Sequence, residues 1–159
     1  MKTAYFACGC FWGVEYYFSK FNGVTKTVVG FMGGKTDNPS YKQVCTGTTG
    51  HYETVEVSYD SSQINFEDLT KYFFEIHDFT QTNGQGPDIG EQYLSVIFTK
   101  DEDETKIANS LIEILKAKGY NVATKIKPVS TFWKAEDYHQ QYFEHNHLKP
   151  SCHLHHKIF

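Results

Sequence analysis

The chain has 159 residues, enough to bury one core, and no composition break marks a second one, so a single domain over residues 1–159 is expected. Its 15 Lys and Arg against 19 Asp and Glu give a net charge of -4 with neither a basic block nor an acidic tail, which rules out the electrostatic footprint of a nucleic-acid binder. No apolar run reaches the roughly 20 residues that span a bilayer and no secretory apolar segment opens the chain, so a cytoplasmic protein without a membrane partner is expected.

Residues 3–8 read as a first strand, Gly9 permits a sharp turn, and residues 14–18 begin an aromatic-rich amphipathic helix. Cys10 therefore falls near a helix N-terminus. Backbone N–H groups and the positive end of the helix dipole favour thiolate there, pulling a cysteine pKa down from about 8.5. Phe11 and Trp12 beside it are candidates to wall an apolar pocket. A cysteine among aromatics is commonly a small buried hydrophobe, but the glycines at 9 and 13 tip the reading towards redox chemistry on an apolar ligand. Four cysteines, Cys8, Cys10, Cys45 and Cys152, are too few and too unevenly spread for a disulfide scaffold, so any disulfide is expected to be transient. Thirteen Phe and 11 Tyr suit a core or pocket built from rings.

Residues 24–31 read as a second strand ended by Gly33 and Gly34, and residues 35–52, dense in turn formers, as a long functional loop. Residues 53–59 alternate, with Val55, Val57 and Tyr59 on one face. Glu53 shares that apolar parity, as either a solvated strand end or a placed acid. Asn65 with Asp68 marks a helix start leading Leu69, Tyr72, Phe73 and Ile76. A turn-rich loop runs to about residue 92, and residues 93–99 form a strand. Asp101 and Glu104 open a helix with the stripe Ile107, Leu111, Ile114 and Leu115, stopped by Gly119. Residues 122–129 read as a last strand, 134–145 as a helix, and 146–159 as a mobile tail carrying Cys152. The order β-α-β-β-α-β predicts an α+β two-layer split β-α-β (ferredoxin-like) sandwich with a C-terminal α-β-α extension.

Several separated stretches resemble one known family. These are Gly9-Cys10-Phe11-Trp12-Gly13, Gly33-Gly34, Asn38-Pro39-Ser40-Tyr41, Val44-Cys45 with Gly47, Gly50-His51-Tyr52-Glu53, residues 74–78, residues 83–93 and residues 135–142. In this order they are similar to the A-type peptide methionine sulfoxide reductases over nearly the whole chain. The resemblance implies reduction of the S epimer of methionine sulfoxide, free or in oxidised proteins, by a monomer that uses no cofactor and is recycled by thioredoxin.

It also implies roles. Cys10 attacks the sulfoxide sulfur and becomes a sulfenic acid, and Cys152 resolves that species to a disulfide. Thioredoxin, at about -270 mV, restores both thiols. Glu53, its pKa raised by Phe11, Trp12 and a nearby carboxylate, protonates the departing oxygen. Tyr41 and Tyr93 hydrogen-bond that oxygen, Asp88 completes the polar side through a water, and Phe11 and Trp12 hold the S-methyl group. Cys8 reads as core, with a backup resolving role as the alternative, and Cys45 as structural. Three places depart from the family pattern: Leu94 where arginine is usual, Phe79 where proline is usual, and a tail around Cys152 without the usual glycines. His145, His147, Cys152, His153, His155 and His156 cluster in sequence but lack zinc-site spacing and a second half-site, so no metal is expected.

Overall fold

A computed structural model describes residues 1–148, 153 and 155–159. Its centre is β1 (Lys2–Cys8), flanked antiparallel by β3 (Tyr52–Tyr59) and β6 (Ser95–Thr99). On the outer side of β3 lies β2 (Val24–Met32), in a register that sets Phe31 opposite Glu53. The sheet is closed at its edges by β7 (Lys125–Pro128), parallel to β6, and β8 (Trp133–Lys134), paired with Gly30 and Phe31 of β2. The order is β7-β6-β1-β3-β2-β8, and the whole is a mixed α/β fold around a central sheet.

The larger core lies on the sheet face covered by α1 (Phe11–Ser19), α3 (Phe66–Glu75) and α4 (Glu102–Ala117). Phe6 of β1 joins these layers, its ring 5.1 Å from Phe18 and 5.3 Å from Phe73. Removing a ring so buried costs about 3–5 kcal/mol. The opposite face carries a smaller cluster of Ala7, Met32, Tyr52, Val96 and Phe98, on which Leu94 packs. Asn65 and Asp68 form a reciprocal capping box at the start of α3, and the Asp101 side chain accepts the Glu104 N–H at the start of α4.

Several expected elements differ. The loop expected over 35–52 contains α2 (Tyr41–Cys45), because Ser40 and Gln43 form a capping box that closes a single helical turn. The next long loop holds a hairpin of β4 (Gly84–Gln85) and β5 (Asp88–Ile89) and a 3-10 turn at Glu91–Tyr93, so Tyr93 precedes the strand. In α4 the buried stripe is Ala108, Leu111, Ile112 and Leu115, while Ile114 is exposed.

The helix expected over 134–145 is broken into β8, a 3-10 turn at Asp137–His139 and the short α5 (Tyr142–His145). The cause is the free edge of β2. The Val29 N–H donates to Gln140 Oε1 at 2.9 Å, Gln140 Nε2 donates to the Val29 carbonyl at 2.9 Å, and Gln141 Nε2 donates to the Thr27 carbonyl at 3.1 Å. Two carboxamides thus satisfy backbone groups that a strand would otherwise pair, and Gln141 adopts a left-handed backbone (φ 48°) to do so.

Candidate active site

Cys10 occupies the N-cap position of α1, with backbone angles of -59° and 118°. Its carbonyl accepts the N–H groups of Gly13 and Val14 at 3.2 and 3.3 Å, so the helix begins at once after the cysteine. The Cys10 side chain is half-buried, whereas Cys8, inside β1, is fully buried. Gly9 makes the turn between them at φ +105°, and a Cβ there would sit 2.8 Å from that of Gln85. Any other residue at 9 would be strained by its backbone and crowded by its neighbour.

The first helical N–H beyond Cys10 has a specific partner: Phe11 N–H donates to Glu53 Oε1 at 3.1 Å. Glu53 is 1% exposed, and its other oxygen, Oε2, is buried without a hydrogen-bond partner among the described residues. Burial pushes the Glu53 pKa up to about 8; the Phe11 N–H opposes the rise and the charge of Asp88 adds to it. Near neutral pH this side chain is therefore mostly a carboxylic acid, able to donate through its open oxygen.

The acid sits among aromatic hydroxyls. Burial and the nearby Glu53 charge raise the pKa of both Tyr41 and Tyr93, keeping each a neutral donor. Asp88 and Cys10 act on the same Tyr93 hydroxyl, so the electrostatic neighbourhood joins Cys10, Glu53, Tyr41, Tyr93 and Asp88. Glu136 holds Tyr41 from behind, accepting its backbone N–H at 3.2 Å. Cys45, read from sequence as structural, is exposed and lies beside the Tyr41 side chain.

Phe11 and Trp12 divide the apolar side unequally. Phe11 is wholly buried behind Tyr41 and His139, with ring centroids at 6.0 and 5.4 Å, while Trp12 is half-buried and reaches the surface. The Trp12 indole is clamped twice: Tyr142 stacks on it at 3.8 Å and 7°, and its N–H donates to His139 Nδ1 at 2.9 Å. Accepting at Nδ1 requires the neutral tautomer with hydrogen on Nε2, and burial lowers the His139 pKa in the same sense. His139 Nε2 is buried with no hydrogen-bond partner among the described residues. Sequence reasoning missed His139 and Glu136 as supports because a continuous helix had been expected there; the left-handed Gln141 that interrupts it has no local sequence signal.

At the back of the turn, Phe79 is buried edge-on to Phe74 and Tyr120, so its ring is part of the core. His77 is held by the Phe73 carbonyl and Ser95 Oγ, both at 2.7 Å, and burial lowers its pKa to about 3. Cys152 lies outside the described residues. Among the described residues no three His, Cys, Asp or Glu side chains converge on a possible metal position: His153 is buried against the Cys8 carbonyl and His155 rests on Glu75. Nor, among those residues, is any helix long and apolar enough to cross a membrane.

A half-buried thiol at a helix start, a buried acid and two tyrosine hydroxyls thus share one neighbourhood beside an aromatic wall. The family model for peptide methionine sulfoxide reductase matches residues 2–159. Peptide methionine sulfoxide reductase MsrA of Nautilia profundicola is 48% identical over 152 residues, covering 96% of this chain and 88% of the relative. Mxr1 from Saccharomyces cerevisiae in reduced form superposes with a TM-score of 0.92 at 38% identity, covering 98% of this chain and 92% of Mxr1. Mxr1 in complex with Trx2 shares the fold at a TM-score of 0.67 and 24% identity, covering 98% of this chain and 90% of that one. The chain belongs to the peptide methionine sulfoxide reductase family.

Proposed function

We propose that this chain reduces methionine S-sulfoxide, free or in oxidised proteins, through a sulfenic acid on Cys10. The observation that carries the reading is Glu53: a carboxyl bonded to the residue after the nucleophile, kept neutral by burial and left with one oxygen open. As the Cys10 thiolate attacks sulfur, the sulfoxide oxygen gathers negative charge and leaves only if it is protonated. Glu53 supplies the proton, and the Tyr41 and Tyr93 hydroxyls stabilise the developing charge. Asp88 keeps that side polar and raises the acidity threshold of Glu53.

Trp12 forms the wall for the S-methyl group, with Phe11 as the buried layer behind it. Fixing methyl on the aromatic side and oxygen on the acid side leaves one epimer with sulfur facing Cys10. Cys152 then attacks the sulfenic acid, giving a disulfide and water, and thioredoxin reduces that disulfide by thiol exchange. Support for this last partner comes from the family and from the relative that forms a complex with Trx2.

The wider reading is a single catalytic domain acting as a monomer in the cytoplasm. One six-stranded sheet with α1, α3 and α4 packed on it carries the larger core. A reducing compartment keeps the cysteines as thiols. The order β6-β1-β3-β2, with α1 and α3 as crossovers, supports the ferredoxin-like split β-α-β description, with α4 and β7 as its extension.

The test separates the two thiols. With resolved methionine S-sulfoxide and no reductant, Cys10→Ser should form no methionine. Cys152→Ser should form one methionine per enzyme and then stop, with slow thioredoxin-supported turnover. Turnover of Cys10→Ser at the parent rate would overturn the nucleophile; unchanged thioredoxin-supported turnover of Cys152→Ser would move resolution to another thiol.

A further inference from the structure

The second glycine of the catalytic motif has no conformational reason to be glycine. Gly13 lies inside α1, where glycine is less favourable than alanine, and its φ is not positive. Its reason is steric and comes from the far end of the chain. A Cβ at 13 would lie 2.6 Å from His153 Nδ1, and the three nearest heavy atoms would all belong to that imidazole. Gly9 borders the same seat: a Cβ there would lie 3.2 Å from His153 Nε2.

The seat is closely made. His153 is 1% exposed, and its Nε2 lies 2.8 Å from the Cys8 carbonyl oxygen, an acceptor only, so Nε2 carries a hydrogen, while burial lowers the pKa of the ring. The Tyr17 hydroxyl, from the next turns of α1, donates to the His153 carbonyl at 3.0 Å. Beyond it the chain is fastened again to the end of α3. The Glu75 side chain accepts the N–H groups of Ile158 and Phe159 at 2.9 and 3.0 Å and pairs with His155 at 3.0 Å, while its backbone carbonyl accepts the His156 N–H. A histidine that pays desolvation to sit under the nucleophile's own turn, in space cleared by two glycines, is more than tail packing.

We propose that His153 is the positioning residue of the resolving step: its imidazole, seated between Gly9 and Gly13 and bonded to Cys8, docks the C-terminal chain on the catalytic turn so that the neighbouring thiol of Cys152 meets oxidised Cys10. The inference rests on the assignment of Cys10 and Cys152 made above. Cys152 immediately precedes His153 in the sequence. The step it serves is balanced within the protein. The Cys152 thiolate attacks Cys10 Sγ, the S–S bond forms as the S–O bond breaks, and the hydroxide leaves as water with the thiol proton. The sulfenic sulfur is reduced and the Cys152 sulfur oxidised, without an outside electron source.

A rapid-quench single turnover with methionine S-sulfoxide and no reductant, following methionine, dimedone-trapped sulfenic acid and disulfide by mass spectrometry, separates the steps. In His153→Ala, methionine should form within about 2-fold of the parent rate, disulfide should form at least 10-fold more slowly, and trapped sulfenic acid should accumulate. His153→Gln, which returns an amide donor near the position of Nε2, should recover part of the disulfide rate, as a merely space-filling role would not predict. Gly13→Ala tests the seat with a substitution that favours the helix. It should slow disulfide formation in the parent, by expelling the imidazole, and have no such effect in His153→Ala.

Disulfide formation at the parent rate in His153→Ala, or equal effects of Gly13→Ala in both backgrounds, would overturn the anchor. A parent enzyme that forms no Cys10–Cys152 disulfide at all would overturn the underlying assignment instead, so the two failures are distinguishable.

Discussion

Glu53 and Glu15 both bury a carboxyl beside α1, 1% and 2% exposed, yet the protein treats them in opposite ways. Glu15 is fully engaged. Its Oε1 accepts the Gln141 N–H at 2.7 Å, and its Oε2 accepts Thr27 Oγ1 at 2.9 Å and Gln141 Nε2 at 2.7 Å. Those donors tie α1, β2 and the segment after the 3-10 turn into one unit, and they oppose the rise that burial imposes on its pKa. Glu53 has one donor and one open oxygen. Equal burial therefore serves two purposes: a saturated carboxyl joins parts of the fold, and an unsaturated one keeps a proton in reserve. Burial alone does not separate the two carboxyls; the missing partner does.

The largest expected effect tests the Glu53 half. Glu53→Gln keeps the shape and the Phe11 contact but has no acidic proton, so the first-turnover rate with methionine S-sulfoxide should fall about 10²-fold or more while substrate affinity stays within several-fold. A parent-like first turnover would remove the contrast. Glu15→Ala tests the other half. It strands the Thr27 hydroxyl and the Gln141 amides and frees the β2 edge, so unfolding in urea should show a loss of about 2–4 kcal/mol. The first-turnover rate at a temperature where the variant remains folded should change less than about 3-fold. A strong rate effect on a folded Glu15 variant would mean that the two sites are not separate.

A third effect is in the pH dependence, and its sign follows from the raised pKa of Glu53. Between the unfolded carboxyl value near 4.5 and the folded value of about 8, the unfolded chain releases a proton that the native protein retains. The contribution of Glu53 to stability is thus fully present below about pH 4.5 and is lost as pH rises through about 8. Melting curves of Glu53→Gln and the parent should diverge from pH 5 to pH 8: about 1.4 kcal/mol per pH unit accumulates to about 4 kcal/mol, so the variant should gain roughly 10 °C on the parent across that range. The parent first-turnover rate should fall above about pH 8 as the acid ionises. A constant difference in Tm across that range would show that Glu53 is already ionised in the folded protein.

Much of the frame was legible in the residues. The strand, turn and helix around Cys10, the Asn65 and Asp68 cap and the Asp101 start of α4 are local patterns read within one or two turns of chain, and they stand where periodicity set them. Ser40 and Gln43 were equally local, but the turn formers around them masked a capping box of one helical turn. The parity of 53–59 brought Glu53 to the buried side but left open whether it was a solvated strand end or a placed acid; the fold seals it under Phe11.

The sequence by itself determined most of the long elements, the position of Cys10 at a helix start and the family, because local backbone preference and motif order are written in neighbouring residues. Only the tertiary structure decided which carboxyl stays neutral, how a predicted helix yields to two glutamines capping a strand edge, and why Gly13 must lack a side chain. These depend on desolvation and on contacts between segments 42 to 145 residues apart, such as Phe11 with Glu53 and Cys8 with His153, and no local pattern encodes them.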